Sequence, residues 1–282
     1  GSQEAYFAAK ASLFRPTFAP VGVVNVDDPY GRRLADDAVS GGPTERFAVV
    51  PYSITDVDEL RVDATSHRYR WRGAWVEVPL GGRFNVWNSL AALTAAVAVG
   101  VEPDVAAAGL AAAAPVPGRF EAVRSPHRPE LTIVVDYAHT PDGLAEVLRS
   151  ARRAGDGAEV TVVFGCGGDR DRAKRPEMGA AAAELADRVV ITSDNPRGEA
   201  PRAIIDDILS GIGPDARHEC IVEPDRASAI CTAITAAAAS PGRAGAVVVI
   251  AGKGHERTQE LADAVVDFDD RVVAARVLEG LA

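Results

Sequence analysis

The sequence predicts an α/β protein whose larger part is built on a mostly parallel sheet. Three observations predict it. Between Leu131 and Ile250, short apolar runs rich in Val and Ile alternate with segments of helical spacing, the pattern of successive βαβ units. Most of these runs end abruptly in polar or glycine-rich loops, as strands do where a ligand sits beyond their carboxyl ends. The stretch APVPGRF, Ala114–Phe120, puts two prolines and a glycine together. It marks a boundary between two domains, 1–116 and 117–282.

Each element follows from its local pattern. Glu4–Phe14 spaces Tyr6, Phe7, Ala9 and Leu13 as a helix does. VGVVNVDD, Val21–Asp28, reads as a short buried strand ending in acids. Arg68–Leu80 alternates and turns at Gly73, a hairpin. GGRFNVWNSLAALTAAVAVGV opens on glycines, becomes a helix and stops at Gly100, and a second short helix follows Glu102. Beyond the boundary, strands are expected near Leu131–Asp136, Glu159–Phe164, Asp187–Thr192, His218–Val222 and Ala246–Ile250. Helices are expected near Pro141–Arg153, Arg172–Leu185, Pro201–Leu209 and Asp225–Ala238.

The 282 residues are 47% hydrophobic and 25% charged, an ordinary globular balance, with a net charge of −10. A nucleic-acid binder shows a basic excess, so no nucleic-acid partner is expected. No apolar run of about 18 residues can span a membrane, and no basic-then-apolar leader opens the chain. It starts at Gly1 without Met, as the interior of a longer protein or an added Gly-Ser would. Cys166, Cys220 and Cys231 have neither CxxC nor zinc spacing, so reduced thiols of a cytoplasmic protein are expected. Cys166 stands apart because it lies in a glycine-rich loop.

The loops at the strand ends carry the chemistry. They are DYAHTPDG from Asp136, GCGGDRDRAKRPEMG from Gly165, SDNPRGE from Ser193 and AGKGHE from Ala251. A parallel sheet brings four such loops to one edge. Gly165 and Gly167 fit the start of a dinucleotide fingerprint and Asp194 resembles its acid, but Arg170 occupies the third glycine position, where close helix–strand packing needs no side chain. Arg170, Arg172, Lys174 and Arg175 instead read as a cationic lip for phosphate or carboxylate. Asp136 at a strand end can meet a ribose hydroxyl or a metal-bound water, and His139 can pair with phosphate or move a proton. Gly252 and Gly254 let backbone approach a ligand closely, and Glu256 favours an ammonium partner. Taken singly, each is also an ordinary solvated charge run, turn histidine or loop.

The motifs GRFNVWN, PGRFE, DYAHTPDGL, VFGCGGDRDRAKRPEMG, TSDNPRGEAPRAI and AGKGHE occur in this order. Together they resemble the Mur ligase family, and within it the MurE type, over essentially the whole chain. The resemblance implies a C-terminal Rossmann-like domain preceded by the later part of the family's central ATP-binding α/β domain. It implies a monomeric cytoplasmic enzyme of peptidoglycan synthesis. Its small-molecule substrates would be ATP, meso-diaminopimelate and a UDP-N-acetylmuramoyl dipeptide. In that chemistry the D-Glu carboxylate takes the γ-phosphoryl group of ATP, and the diaminopimelate amine displaces phosphate from the acyl phosphate. The family's UDP-binding domain and its G-K-[ST] phosphate loop, which holds the γ-phosphate and Mg²⁺, have no counterpart in this sequence. The chain as given is therefore expected to be inactive alone.

Residue by residue, the resemblance matches Lys10 to a carbamylated lysine, an anionic oxygen donor near Mg²⁺ with a catalytic role. Asn85 and Asn88 match adenine contacts, and Arg119 and Asp136 nucleotide contacts. His139, as a catalytic residue, and Lys174 are assigned to the phosphate end. DNPR resembles the diaminopimelate-recognition motif: Arg197 forks onto the distal carboxylate, Arg170 adds a cation, and Asp194, Asn195, Glu256 and the Gly252 carbonyl hold the rest. Without a second carboxylate, Arg197 would be an unpaired buried charge. A non-catalytic amino-acid or nucleotide-binding module, and a lysine-adding ligase or one acting outside wall synthesis, stay open at this point. A nucleotide-dependent oxidoreductase is disfavoured by Arg170.

Overall fold

The computed structural model describes residues 2–40, 47–217, 220–239 and 244–281. The chain divides into two compact units. The first comprises Gly1–Arg61, Ser66–Pro79 and Arg83–Ala114; the second comprises Val62–Thr65, Leu80–Gly82 and Pro115–Ala282.

The first unit holds α1 (Gln3–Ala11), β1 (Val21–Asn25), α2 (Pro29–Ser40), β2 (Ala48–Tyr52), a 3-10 turn (Ile54–Asp56), β3 (Val57–Val62), β4 (His67–Trp71), β5 (Ala74–Val78), α3 (Phe84–Ala98) and α4 (Pro103–Ala111). β1 and β2 pair in parallel, and β3, β4 and β5 form a three-stranded sheet. The β4–β5 hairpin turns through Arg72 and Gly73, both at positive φ, the geometry that matches strand twist in a two-residue turn. VGVVNVDD does form a strand, but only Val24 of β1 is buried, and α1 buries no side chain. The larger core of this unit lies elsewhere, where Val86, Leu90 and Leu93 of α3 are fully enclosed.

The second unit holds β6 (Glu121–Val123), β7 (Leu131–Asp136), α5 (Pro141–Ala154), β8 (Glu159–Phe164), α6 (Lys174–Leu185), β9 (Arg188–Ile191), α7 (Pro201–Ser210), α8 (Pro214–Arg217), β10 (Ile221–Val222), α9 (Arg226–Ala239), β11 (Ala246–Ala251), β12 (Thr258–Glu260), β13 (Val265–Asp267) and α10 (Asp270–Gly280). The expected strands at 131–136 and 159–164 have those bounds in the structure. His218, where a further strand was expected to start, lies outside the described residues. The six-stranded order is β10-β9-β8-β11-β7-β6, parallel except for the antiparallel edge strand β6.

Strand side chains alternate between faces, and that sorts the core. Ile133 and Val135 of β7 and Val248 and Ile250 of β11 pack against Ala229, Ile230, Ala233 and Ile234 of α9 and Leu278 of α10. α5 packs on β11 and β8 and on α6, which in turn packs on α7. The alanines of α9 allow it to sit close to the sheet. After β8 the chain turns toward β9; after β11 it runs on to the β12–β13 hairpin and α10. That divergence opens a crevice at the carboxyl ends of β8 and β11, where ligands bind in open parallel sheets.

Candidate functional site

The loops after β7, β8, β9 and β11 enclose a cavity of about 340 Å³, lined among others by His139, Cys166, Arg170, Lys174, Asp194, Asn195, Arg197, Gly252 and Glu256. The sequence-predicted residues of the second unit therefore converge, except Arg119 and Asp136, which lie beside it. Asp194 is 8% exposed. Its carboxylate accepts no hydrogen bond from any described residue; its backbone carbonyl takes one from Gln259 at 2.7 Å. Burial pushes the Asp194 carboxyl up, while the Arg226 and Lys253 charges pull it back. A buried anion that lines a cavity without a donor calls for a cationic ligand.

Asn195 is locked. Its Oδ1 accepts from Lys253 Nζ at 2.8 Å and from the Glu260 amide at 3.0 Å, and its Nδ2 donates to Glu256 Oε2 at 2.9 Å. Lys253 has no exposure and also donates to Glu256 Oε2 at 3.1 Å. The ammonium that Glu256 was expected to attract is thus the protein's own. Burial works to raise the Glu256 carboxyl, but the hydrogen bonds from Asn195 and Lys253 outweigh it and hold it below its ordinary range.

Arg197 sits at φ 50° with its amide on the Glu260 carbonyl at 3.1 Å. Its Nε donates to Glu260 Oε2 at 2.5 Å and Nη1 to the Gly168 carbonyl at 3.0 Å. The expectation that Arg197 would be unpaired without a ligand is corrected here, because Glu260 neutralises it. A guanidinium has five N–H groups, so the two contacts leave donors unspent on a side chain that lines the cavity. Arg170 is exposed, and among the described residues its side chain hydrogen-bonds only to the Asp169 carbonyl, at 3.4 Å.

The cationic lip is shorter than the sequence implied. Arg175 is fully buried: it forks onto Glu199 at 2.8 and 3.0 Å and reaches Asp207 at 2.8 Å. Its one unpartnered nitrogen is Nε. It braces the loop after β8 against α7 and is not available to a ligand. Arg172 pairs with the same Glu199 at 2.7 Å, which leaves Arg170 and Lys174 as the lip. Hydrogen bonds from Arg175 draw the Glu199 carboxyl down from 4.5 to about 2. A lowered carboxyl contributes stability that is present above its ordinary value and lost as pH falls through the folded one. Melting temperature should therefore fall between pH 4.5 and about 2. Glu199→Gln should flatten that segment of the curve, and an unchanged slope would remove Glu199 as its cause. Burial moves Asp136 and Asp194 upward, so they act in the opposite sense and lose stability as pH rises.

Both glycines of AGKGHE serve the fold. A Cβ on Gly252 (φ 113°) would lie 2.5 Å from Asp194 Oδ2, and one on Gly254 (φ 52°) 2.7 Å from the Gly118 carbonyl. Each thus lets the protein's own groups come close, and Gly252 also lines the cavity. Asp136 acts likewise: Oδ2 accepts the Phe120 amide and Oδ1 the Ala138 amide, each at 2.7 Å. Arg119 stacks over Tyr137, 4.7 Å from the ring centroid, and Tyr137 meets His139 and His255 edge-on or tilted. His139 Nδ1 faces the Tyr137 carbonyl at 3.0 Å, and Lys174 Nζ donates to the His139 carbonyl at 2.7 Å. Burial pushes the Cys166 thiol up to about 12, so it packs on Met178 as an inert group.

Within the first unit, Lys10 lines a second cavity of about 480 Å³ with Tyr6, Phe7, Asp28 and Tyr30. Its Nζ lies 5.5 Å from the Tyr6 ring centroid. Buried Asn85 receives Nδ2 of exposed Asn88 at 2.9 Å. No group of three or more His, Cys, Asp or Glu among the described residues is arranged to hold a metal ion. No helix among them is long and apolar enough to cross a membrane. Sequence reasoning missed Lys253, Arg226, Glu260 and Asp270. Lys253 stood inside a quoted motif, and the other three carried no local signal.

Residues 1–96 match the Mur ligase middle domain and residues 118–254 the Mur ligase, glutamate ligase domain. The chain is 46% identical to a UDP-N-acetylmuramoyl-L-alanyl-D-glutamate--2,6-diaminopimelate ligase of Solibacter usitatus, over 99% of this chain and 56% of that one. The same-named protein of Thermosynechococcus vestitus is 45% identical over 98% of this chain and 55% of that one. The chain thus spans about half the length of the curated relatives it matches. A solved structure under the same name is 37% identical with a TM-score of 0.61, covering 100% of this chain and 57% of that one. The Mycobacterium tuberculosis folylpolyglutamate synthase, at 22% identity and a TM-score of 0.66 over 100% of this chain and 60% of that one, shares the fold.

Proposed function

The chain belongs to the Mur ligase family, and from that premise we propose that it is the central and C-terminal part of an ATP-dependent ligase. That ligase joins meso-diaminopimelate to UDP-N-acetylmuramoyl-L-alanyl-D-glutamate. One observation carries the reading: a carboxylate without a hydrogen bond, Asp194, shares a cavity with Arg197, whose guanidinium keeps unspent donors, and with Arg170. That arrangement fits a zwitterionic amino-acid head. Asp194 takes its ammonium and Arg197 its carboxylate, by a charge-assisted fork. Asn195, Glu256 and the Gly252 carbonyl border the same end. Lysine has the same spacing between its amines but no carboxylate at its ε end, so when it presents its α-amine for reaction it leaves Arg197 to Glu260 alone.

The second unit's share of ATP binding falls to Arg119, His139 and Lys174, whose cationic and aromatic groups suit phosphate and base. Asp136, with a backbone amide on each oxygen, holds its loop in shape and keeps a lone pair on each oxygen for a ribose hydroxyl. The first unit's share falls to Asn85 and Asn88, whose joined amides suit an adenine edge. Lys10 would be a ligand for Mg²⁺ only as its carbamate; an ammonium repels the ion. A cation held chiefly by phosphates and water needs few protein ligands. ATP when bound supplies the phosphoryl group that gives the D-Glu carboxylate a leaving group.

Calorimetric titration of the chain with meso-diaminopimelate and with L-lysine tests this reading. Diaminopimelate should bind at least about tenfold tighter, the worth of one charged hydrogen bond. Equal affinities would reject it.

A further inference from the structure

Behind the cavity, two charged side chains have no solvent exposure at all: Arg226, which opens α9, and Asp270, which opens α10. The pair is bidentate, Nε to Oδ1 at 2.7 Å and Nη2 to Oδ2 at 2.8 Å. The guanidinium then reaches two backbone carbonyls, Ser193 through Nη1 at 3.2 Å and Ala251 through Nη2 at 3.0 Å. Ser193 directly precedes Asp194, and Ala251 directly precedes Gly252. β9 and β11 are not neighbours in the sheet, because β8 lies between them. No ladder hydrogen bond therefore joins their two ends; the guanidinium bridges the strand-end carbonyls, while Lys253 and Glu256 tie the loops together one step further on, at Asn195.

Stability alone does not account for this pair. A buried ion pair is often matched or exceeded by a hydrophobic pair of the same volume. What apolar side chains cannot replace is the grip on two carbonyls and the charge beside Asp194. We propose that the Arg226–Asp270 pair is a positioning clasp that holds the Asp194–Asn195 loop against the Gly252–Glu256 loop and so sets the cavity's affinity for a zwitterionic amino acid. The ligand in that statement rests on the function proposed above. Asp194 feels charges from several elements: Arg226 and Lys253 favour its ionised form, and Glu256 and Asp270 oppose it. Arg170, Asp171, Lys174 and Arg197 share its cavity. Of these, only Arg226 both carries charge to Asp194 and holds the carbonyl before it.

Two variants separate position from charge and from stability: Arg226→Lys, and the apolar pair Arg226→Met with Asp270→Leu. Three quantities are read in each: melting temperature, the midpoint of the Asp194 carboxyl in an NMR titration of the ligand-free chain, and calorimetric affinity for meso-diaminopimelate. The apolar pair should melt close to the parent protein, raise the Asp194 midpoint and weaken binding at least about tenfold, since misplacement by about 1 Å is costly. Arg226→Lys keeps the charge and loses the fork, so binding should weaken while the Asp194 midpoint stays near the parent value. An apolar pair with the parent's Asp194 titration and the parent's affinity would overturn the clasp. Failure of the parent chain to bind diaminopimelate would sink the proposed function only. The clasp is then judged by the Asp194 midpoint and by the amide shifts of Asn195 and Gly252, which must move in the apolar pair.

Discussion

Replacing Arg197 by Ala should weaken meso-diaminopimelate binding about 100-fold, close to 2.7 kcal/mol, and leave lysine binding nearly unchanged. The size follows from loss of a charge-assisted fork, which belongs to the stronger class of hydrogen bonds. Other contributions are small. Arg197 already sits at φ 50°, so Ala brings no new backbone strain. Glu260, left without its partner, is 44% exposed in its side chain and can be hydrated. The loop stays anchored because the Glu260 amide remains on Asn195 Oδ1. Arg197→Lys keeps the charge but cannot fork, and should fall between the two. Calorimetry with both ligands reads the result. Selectivity that survives in Arg197→Ala would move carboxylate recognition to another cation, Arg170 first.

Gly118→Ala should be among the most destabilising small substitutions in the second unit. Gly118 lies at φ 63°, and a Cβ there would sit 2.0 Å from the Gly254 carbonyl carbon and 2.1 Å from the His255 nitrogen. Those are backbone atoms, so no side-chain rotation relieves the clash. Left-handed strain and overpacking together should cost about 3 kcal/mol and lower the melting temperature by roughly 10 °C. The same displacement would carry Glu256 with it, so diaminopimelate affinity should fall in parallel. Gly213→Ala, where a Cβ meets nothing within 4 Å, is the control. A Gly118→Ala protein that melts with the parent would mean that the two loops are not interlocked.

Much of the fold was legible because periodicity is local. The run Leu131–Asp136, apolar but for Thr132 and Asp136, is buried throughout, and a strand covered on both faces writes itself as such. Thr140 and Pro141 open α5 with a cap and a fixed φ, signals carried by neighbouring residues. α10 and the β12–β13 hairpin were not anticipated. They lack a long apolar period, and β12 and β13 are three residues each. β1 reads as buried from its composition, yet burial belongs to what packs on it, and its pattern is mostly intermediate.

The sequence by itself determined the α/β class, the alternation of strands and helices, and the set of loops that carry charge, because each depends on residues close together in the chain. It also named most of the cavity's rim. Only the tertiary structure decided which charges are free and which are spent. Arg175 looks like a ligand-seeking cation in a linear reading, yet it is buried among its own acids, and Lys253, which the linear reading passed over, is buried against Asn195 and Glu256; Asp194 looks like one acid among several, yet its carboxylate has no donor. Lys253 meets Asn195 from 58 residues away, Gln259 meets Asp194 from 65, and Arg226 meets Asp270 from 44. Those pairings are made by the order of strands in the sheet, and a charge has no local pattern that says which distant partner will neutralise it.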